Sequence, residues 1–288
     1  MVIGLVIIGF GTSAPEMVVS AVAALQGNPG FAVGNALGSN ITNVGLVLGF
    51  TAMLYPLQVD SQTLRREVPV LFVIMLLATL LLSDQRLSLG DGLVLLGGLV
   101  LMLLWMARLS LKSGKSDLLM VELEDEIPTD IPLPKAIMWT LIGLVMLPLS
   151  STVLVDGATF IATRLGVSDE IIGLTVLAIG TSLPELAAAL ASAMKKEHEL
   201  AIGNVLGSNM FNLLGVLGIA AVIAPLNVSA EILSRDTVTM FVLTGLLVLF
   251  AIRRRGTGVV QRYHGAILLA IYCGYVYFLA TTIVRATS

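Results

Sequence analysis

The chain has 288 residues, of which 57% are hydrophobic and only 12% charged, and its mean hydropathy is +0.97. A soluble domain of this size needs a more polar exterior, so the composition excludes a soluble globular protein and predicts a polytopic membrane protein. The net charge of −3 indicates no class of partner. One cysteine, Cys273, and two histidines exclude a disulfide framework and a zinc site built from these residues.

Nine apolar segments follow one another along the chain, each close to the roughly 17–25 residues that a helix needs to cross the hydrocarbon core. A membrane barrel would alternate apolar and polar residues, whereas these runs are continuously apolar, so the predicted fold class is all-α. The predicted spans are residues 2–26, 31–54, 68–82, 88–107, 136–163, 171–194, 200–224, 237–252 and 264–284.

A longer polar connection separates the fourth span from the fifth. It covers residues 110–134 and carries six acidic residues and three prolines. Such a composition is typical of a solvated linker. We therefore predict three parts, a first repeat at 1–109, an acidic linker at 110–134 and a second repeat at 135–288.

The two halves are copies of one sequence. A shift of 169 residues lays 11–49 on 180–218 without a gap, and 17 of the 39 aligned positions are identical. Glycine, asparagine, proline, glutamate and serine recur at fixed places, which shared hydrophobicity alone does not produce. The pattern predicts an internal duplication of the kind that builds transporters. Because the first copy has no counterpart of the 136–163 span, we also expect this chain to lack one N-terminal helix.

Lysine and arginine predict the orientation, since both are enriched in cytoplasmic loops. Connections on one side hold 12 of the 16 basic residues, and the other side holds Arg86, Arg164, Arg235 and Arg285. The first side, with the acidic linker, is predicted to be cytoplasmic and the C-terminus to lie outside. With an odd number of spans each, the two repeats face opposite ways across the plasma (inner) membrane.

The duplicated motif places an acid in the middle of a span, as GTSAPE at 11–16 and GTSLPE at 180–185. Proline removes a backbone donor and glycine loosens a helix, so each span is predicted to break into two half-helices here. Hard cations bind the oxygens that such breaks release. The released oxygens are expected to be the carbonyls near Gly9 and Ala178 and the hydroxyls of Thr12, Ser13, Thr181 and Ser182.

Glu16 and Glu185 have two interpretations. In a capping box, Ser13 and Ser182 cap the next half-helix and each glutamate bonds back to its cap. An acid at mid-bilayer costs roughly 2.5–3.5 kcal/mol on insertion scales, several times the ~1 kcal/mol of a cap. Two symmetry-related acids near the midplane therefore predict a cation-binding site.

The helix after each motif carries a polar stripe, because asparagine and serine recur there every four residues. Close helix packing is the alternative reading, and we favour it for the adjacent glycines. For the serine and the second asparagine of each stripe we predict cation ligation. Asn40 and Asn209 lie about 100° off the stripes and are predicted to pair with backbone. The stripes are Asn35, Ser39 and Asn43, and Asn204, Ser208 and Asn212.

The doubled motif GTSxPE…GNxxGSNxxN resembles the paired alpha-repeats of the sodium/calcium exchanger family of cation antiporters, particularly its prokaryotic members. The resemblance covers essentially the whole chain. It implies two inverted five-helix halves, here without the first helix, and one calcium site flanked by sodium sites. Some archaeal members carry aspartate where this chain has Asn212. The implied ligands are Thr12, Ser13, Glu16, Ser39, Asn43, Thr181, Ser182, Glu185, Ser208 and Asn212, with carbonyls of Gly9 and Ala178.

The predicted function is exchange of Na⁺ for Ca²⁺ by alternating access, which is transport and not an enzymatic reaction. Both ions would use the same carboxylates, so their occupancy would be mutually exclusive and an inward Na⁺ gradient would drive Ca²⁺ out. No resident cofactor, nucleic acid or protein partner is expected. The expected partners are the transported Ca²⁺ and Na⁺ and the lipid bilayer.

Three alternatives stay open beside this prediction. Buried carboxylates can carry protons, so a proton-coupled cation antiporter would have the same fold. An intramembrane hydrolase would use Glu16 and Glu185 as an acid–base pair, but the sequence supplies no nucleophile or metal partner for it. A membrane sensor would use the acidic linker and would not need the two glutamates.

Overall fold

A computed structural model of the protein describes residues 2–59, 61–112, 131–166, 169–252 and 258–287. In the first helix, side chains are described from Ser13 onward. The described chain is mainly helical, as expected where backbone groups must find their partners within the element. Most of the predicted acidic linker lies outside the described residues.

Every predicted span coincides with a helix. The first half holds α1 (Val2–Leu25), α2 (Pro29–Leu54), α3 (Ser61–Leu81) and α4 (Leu89–Lys112). The second half holds α5 (Leu133–Leu165), α6 (Asp169–Thr181), α7 (Leu183–Lys195), α8 (His198–Ile223), α9 (Ile232–Ala251) and α10 (Arg262–Thr287). Among the described helices, α2, α4, α8, α9 and α10 are individually long and apolar enough to cross a membrane, and there are six such spans if the bent pair α6–α7 counts as one.

Several predicted boundaries were wrong because polar first and last turns resemble loops in a sequence. Helix α3 begins at Ser61 and not at 68, and α9 begins at Ile232 and not at 237. Helix α4 continues to Lys112 and α5 begins at Leu133, so both enter the predicted 110–134 linker. Helices project beyond the hydrocarbon core, where charged residues are tolerated.

The predicted helix break is present in the second copy and absent from the first. Helices α6 and α7 meet at Ser182, which has φ −86° and ψ 0°, and their axes differ by 40°. Helix α1, by contrast, runs through Pro15 as one helix, so the predicted break there was wrong. Proline removes a single hydrogen bond, which a helix can accommodate when the neighbouring residues keep helical torsions.

The helices α2 and α8, which carry the two polar stripes, form the centre of the protein. In each, 78% of the apolar stretch is buried, compared with 17% for α4 and 28% for α10. Both central helices contain a wide π-helical stretch, at Asn43–Leu48 in α2 and Asn212–Val216 in α8. Such stretches are rare and are often found at functional sites. They begin at the second asparagine of each polar stripe.

Two short strand pairs tie the halves together. Strand β1 (Leu57–Val59) pairs antiparallel with β4 (Gly258–Val260), and β2 (Arg86–Leu87) pairs antiparallel with β3 (Leu226–Asn227). Each pair takes one strand from each repeat. Since strands of two or three residues carry almost no sequence signal, the chain pattern did not predict them.

A buried carboxylate, that of Asp236, joins α9 to α10. The Arg235 Nε and Nη2 donate to Asp236 Oδ1 and Oδ2 at 2.6 and 2.8 Å, and the Tyr275 hydroxyl donates to Asp236 Oδ1 at 2.8 Å. Asp236 is completely buried. With its oxygens bonded in this way, the carboxylate fixes the start of α9 against α10.

The close crossing of α2 and α6 gives a test of the fold. A Cβ added to Gly34 would collide with the carbonyl oxygen of Glu170 and lie 2.9 Å from Gly173 Cα, whereas around Gly245 no described atom lies within 4 Å of such a Cβ. We expect Gly34→Ala to lower the free energy of unfolding by about 1–3 kcal/mol. Gly245→Ala, the matched control, should leave it unchanged or raise it slightly, because alanine is the better helix former.

Thermal melting of the detergent-solubilised protein measures both variants. Equal melting temperatures for the two would contradict the crossing.

Candidate cation site

Two carboxyl groups lie at the centre of the protein. Glu16 is on α1 and Glu185 is in the first turn of α7, and both side chains are completely buried. Within the described residues neither acid has an ion-pair partner, and the charges of the two carboxylates repel each other. Burying a carboxylate costs several kcal/mol unless an opposite charge compensates it. The pair is therefore a place of uncompensated negative charge.

Several buried oxygens, belonging to the two acids and to other predicted ligands, have no hydrogen-bond partner in the described structure. A buried acceptor without a donor costs about 1–3 kcal/mol, so such atoms are rare in folded proteins. They come from both repeats and from the predicted set of ligands. The unpartnered atoms are Ser13 Oγ, Glu16 Oε1 and Oε2, Asn43 Oδ1, Ser182 Oγ, Glu185 Oε2 and Asn212 Oδ1.

The remaining predicted hydroxyls are bonded within the same region. The Ser208 hydroxyl donates to Glu185 Oε1 at 3.5 Å. The Ser39 and Thr181 hydroxyls lie 3.3 Å apart, which places α2 of the first repeat against α6 of the second. Ser39, Thr181 and Ser208 are all buried. The structure thus brings together the described side chains that the motif predicted.

Asn35 connects this region to α1. Its Oδ1 accepts from the Thr181 hydroxyl at 3.1 Å, and its Nδ2 donates to Ser20 Oγ at 3.1 Å and to the Glu16 carbonyl at 3.4 Å. Sequence analysis placed Asn35 on the polar stripe but did not single out Ser20. The spacing of Ser20 could have indicated it, because Ser20 lies four residues after Glu16 and therefore on the same face of α1.

Four asparagines bond across the interface of α2 and α8. Asn43 Nδ2 donates to Asn209 Oδ1 at 3.1 Å, and Asn212 Nδ2 donates to Asn40 Oδ1 at 3.1 Å. Asn40 Nδ2 donates to the Asn209 carbonyl at 3.2 Å, as predicted for a residue pairing with backbone. The bonds between side chains were not predicted, since they require knowing how the two copies face each other.

One detail of the predicted site was wrong, and so was the alternative capping-box interpretation for the second motif. The Ala178 carbonyl, expected to lack a regular partner, accepts from the Ser182 N–H at 3.1 Å. The reason is that Pro184 releases the carbonyl four residues earlier, at Gly180. The capping box is also absent from the described second motif, because Ser182 makes no side-chain capping bond to α7. The Thr12 side chain and the surroundings of Gly9 lie outside what the structure describes.

Comparison with known proteins agrees with this arrangement. The family model described as "Sodium/calcium exchanger protein" matches residues 1–108 and 135–281. CaxA of Alkalimonas amylolytica is 47% identical over 279 residues, covering 97% of this chain and 88% of CaxA. The inner membrane protein YrbG of Escherichia coli is 40% identical over 266 residues, covering 90% and 82% of the two chains.

A solved structure shares the fold. The sodium-calcium exchanger NCX_Mj, soaked with 100 mM Na⁺ and 10 mM Sr²⁺, superposes with a TM-score of 0.70 and 32% sequence identity, covering 96% of this chain and 86% of that one. The matched ranges include both copies of the motif, and therefore both buried acids and the polar side chains around them. The chain therefore belongs to the sodium/calcium exchanger family.

Proposed function

We propose that this protein is a secondary antiporter that exchanges Na⁺ for Ca²⁺ by alternating access through one shared site between Glu16 and Glu185. One observation carries the proposal: two completely buried carboxylates, without ion-pair partners among the described residues, lie close enough to repel each other. Among the described residues of the two motifs and stripes that we propose as ligands, the buried side-chain atoms without a hydrogen-bond partner are all oxygens. Oxygen-only coordination suits hard cations such as Ca²⁺, which takes 6–8 oxygens.

The proposed ligands come in equal numbers from the two repeats. Carboxylates supply the charge, and hydroxyl, amide and carbonyl oxygens complete the shell. Since hydroxyl and carbonyl oxygens can coordinate a cation while they are hydrogen-bonded, the bonds to Ser208 and Ala178 do not remove these ligands. The set is Gly9, Thr12, Ser13, Glu16, Ser39, Asn43, Ala178, Thr181, Ser182, Glu185, Ser208 and Asn212.

Exchange follows from charge. The two glutamates carry −2, which one Ca²⁺ neutralises, and Na⁺ ions compete for the same oxygens. Occupancy by one kind of ion excludes the other, so the two fluxes are coupled. The doubly charged site without an ion resists burial in the occluded intermediate, which suppresses leak. In a cell the inward Na⁺ gradient would then expel Ca²⁺.

The architecture we propose is a pair of inverted repeats with nine spans, α6 and α7 forming one of them. Contacts between the halves support it, because the 169-residue shift interchanges them. The shift carries the Asn43–Asn209 bond onto the Asn212–Asn40 bond, and it carries β1 onto β3. Related contacts on both halves are expected when a pseudo-twofold axis relates the copies.

The strand pairs also support the proposed orientation. Strand β1 is followed by Arg65 and Arg66 near the start of α3, and β4 lies between Arg255 and Arg262, whereas β2 and β3 each lie near one basic residue, Arg86 and Arg235. Paired strands must lie on the same side of a membrane. We therefore place β1, β4 and the acidic linker in the cytoplasm, with β2, β3 and the C-terminus outside.

Removing both charges tests the site. Glu16→Gln combined with Glu185→Gln keeps side-chain volume but leaves no net charge to balance Ca²⁺, so Na⁺-driven ⁴⁵Ca²⁺ uptake into proteoliposomes should fall to the level of protein-free liposomes. Glu231→Gln, which changes an exposed acid at the start of α9, is the matched control and should transport normally. Undiminished uptake by the double variant would exclude the shared carboxylate site.

Imposed gradients identify the coupling ion. Proteoliposomes loaded with Na⁺ and diluted into Na⁺-free medium at equal pH should accumulate ⁴⁵Ca²⁺, because outward Na⁺ movement drives the exchange. Liposomes with an acidic interior and no Na⁺ should not. Accumulation with the pH gradient alone would instead establish the proton-coupled antiporter of the same fold.

A further inference from the structure

We propose that Asn40 and Asn209 are positioning residues, which orient the side-chain oxygens of Asn43 and Asn212 toward the transported cation. The inference rests on the proposed function. It adds two residues that do not themselves contact the ion, and it gives the bonds between α2 and α8 a role in ion binding. All four asparagines are at most 1% exposed.

The first step concerns the two ends of the Asn43 amide. Its Nδ2 donates to Asn209 Oδ1 at 3.1 Å, while its Oδ1 is buried and has no donor. An asparagine amide has a donor nitrogen and an acceptor oxygen on opposite branches, so fixing one branch directs the other. With the nitrogen held by Asn209, the oxygen is left for a cation. A reversed amide would present its N–H groups to a positive charge.

The same arrangement recurs at Asn212 with the partners exchanged. Its Nδ2 donates to Asn40 Oδ1 at 3.1 Å, and its Oδ1 is likewise buried without a donor. Each proposed amide ligand is therefore oriented by a residue of the other repeat. A single helix could not provide this restraint, since both bonds cross from α2 to α8.

Asn40 is itself held in one orientation. Its Nδ2 donates to the Asn209 backbone carbonyl at 3.2 Å. With the nitrogen committed to backbone, Asn40 can offer only its oxygen to Asn212. The α8 backbone thus orients Asn40, and Asn40 in turn orients Asn212 so that its oxygen has no hydrogen-bond donor. Helix packing alone would not require that both unpartnered atoms be oxygens.

Coupling between variants tests the proposal. We measure ⁴⁵Ca²⁺ binding to the full chain in detergent for Asn209→Leu, Asn43→Ala, Asn212→Ala and the double variants that contain Asn209→Leu. The Asn209→Leu change should weaken Ca²⁺ binding about tenfold, as expected for losing one hydrogen bond and the orientation it sets. In the Asn43→Ala background, where the oriented oxygen is missing, Asn209→Leu should not weaken Ca²⁺ binding further. In the Asn212→Ala background it should weaken Ca²⁺ binding by the same factor as in the wild-type chain.

A conservative variant separates orientation from packing. Asn209→Asp keeps an oxygen that accepts from Asn43, so it should bind Ca²⁺ more tightly than Asn209→Leu, and this gain should disappear beside Asn43→Ala, which the added charge of the aspartate alone would not explain. If Asn209→Leu does not fold, Asn209→Ser replaces it in the cycle, because the serine side chain is too short to reach Asn43.

The outcomes are distinct. An equal loss of affinity from Asn209→Leu with and without Asn43→Ala, or no loss at all, would overturn the positioning role while leaving the antiporter proposal intact. A wild-type chain that binds neither Ca²⁺ nor Na⁺ would overturn both proposals. The predicted coupling, with rescue by Asn209→Asp, would support both.

Discussion

Two like charges held in the interior without a counter-charge are the constraint on which the rest of this protein depends. Glu16 and Glu185 are completely buried and lack an ion pair within the described chain. Apolar burial alone cannot compensate an ionised carboxylate in a medium of low dielectric, whereas a cation can. The most buried helices, α2 and α8, bring amide and hydroxyl oxygens to this region, which suits the proposed cation site.

The internal duplication explains how two acids come to lie in one buried region. A repeat that carries one acid and one polar stripe cannot enclose a cation, but two facing repeats can, because each completes the half-shell of the other. The contacts between the copies are correspondingly reciprocal, as in a twofold interface. Asn43 bonds to Asn209 where Asn212 bonds to Asn40, and each short strand pair takes one strand from each copy. In the proposed arrangement, packing the two copies together also assembles the cation site.

The sequence alone predicted the features that depend on local residue patterns. Apolar runs located every helix, and the invariant spacing of GTSxPE and GNxxGSNxxN located the described polar side chains now found together. It was insufficient where two copies of one motif behave differently. Pro15 and Pro184 each follow Gly-Thr-Ser by one residue and precede a glutamate, yet α1 continues through Pro15 while the chain bends at Ser182. The π-helical stretches at Asn43 and Asn212 likewise depend on packing between helices, which no single segment encodes.

The amide network also bears on why an asparagine suits position 212. Asn40 Nδ2 is committed to the Asn209 carbonyl, so Asn40 faces position 212 with an oxygen. An ionised aspartate would oppose that oxygen with another acceptor, whereas the asparagine donates to it. In these surroundings the neutral residue is the complementary one. In the proposed site, Glu16 and Glu185 then supply the negative charge, and a single divalent cation would balance it.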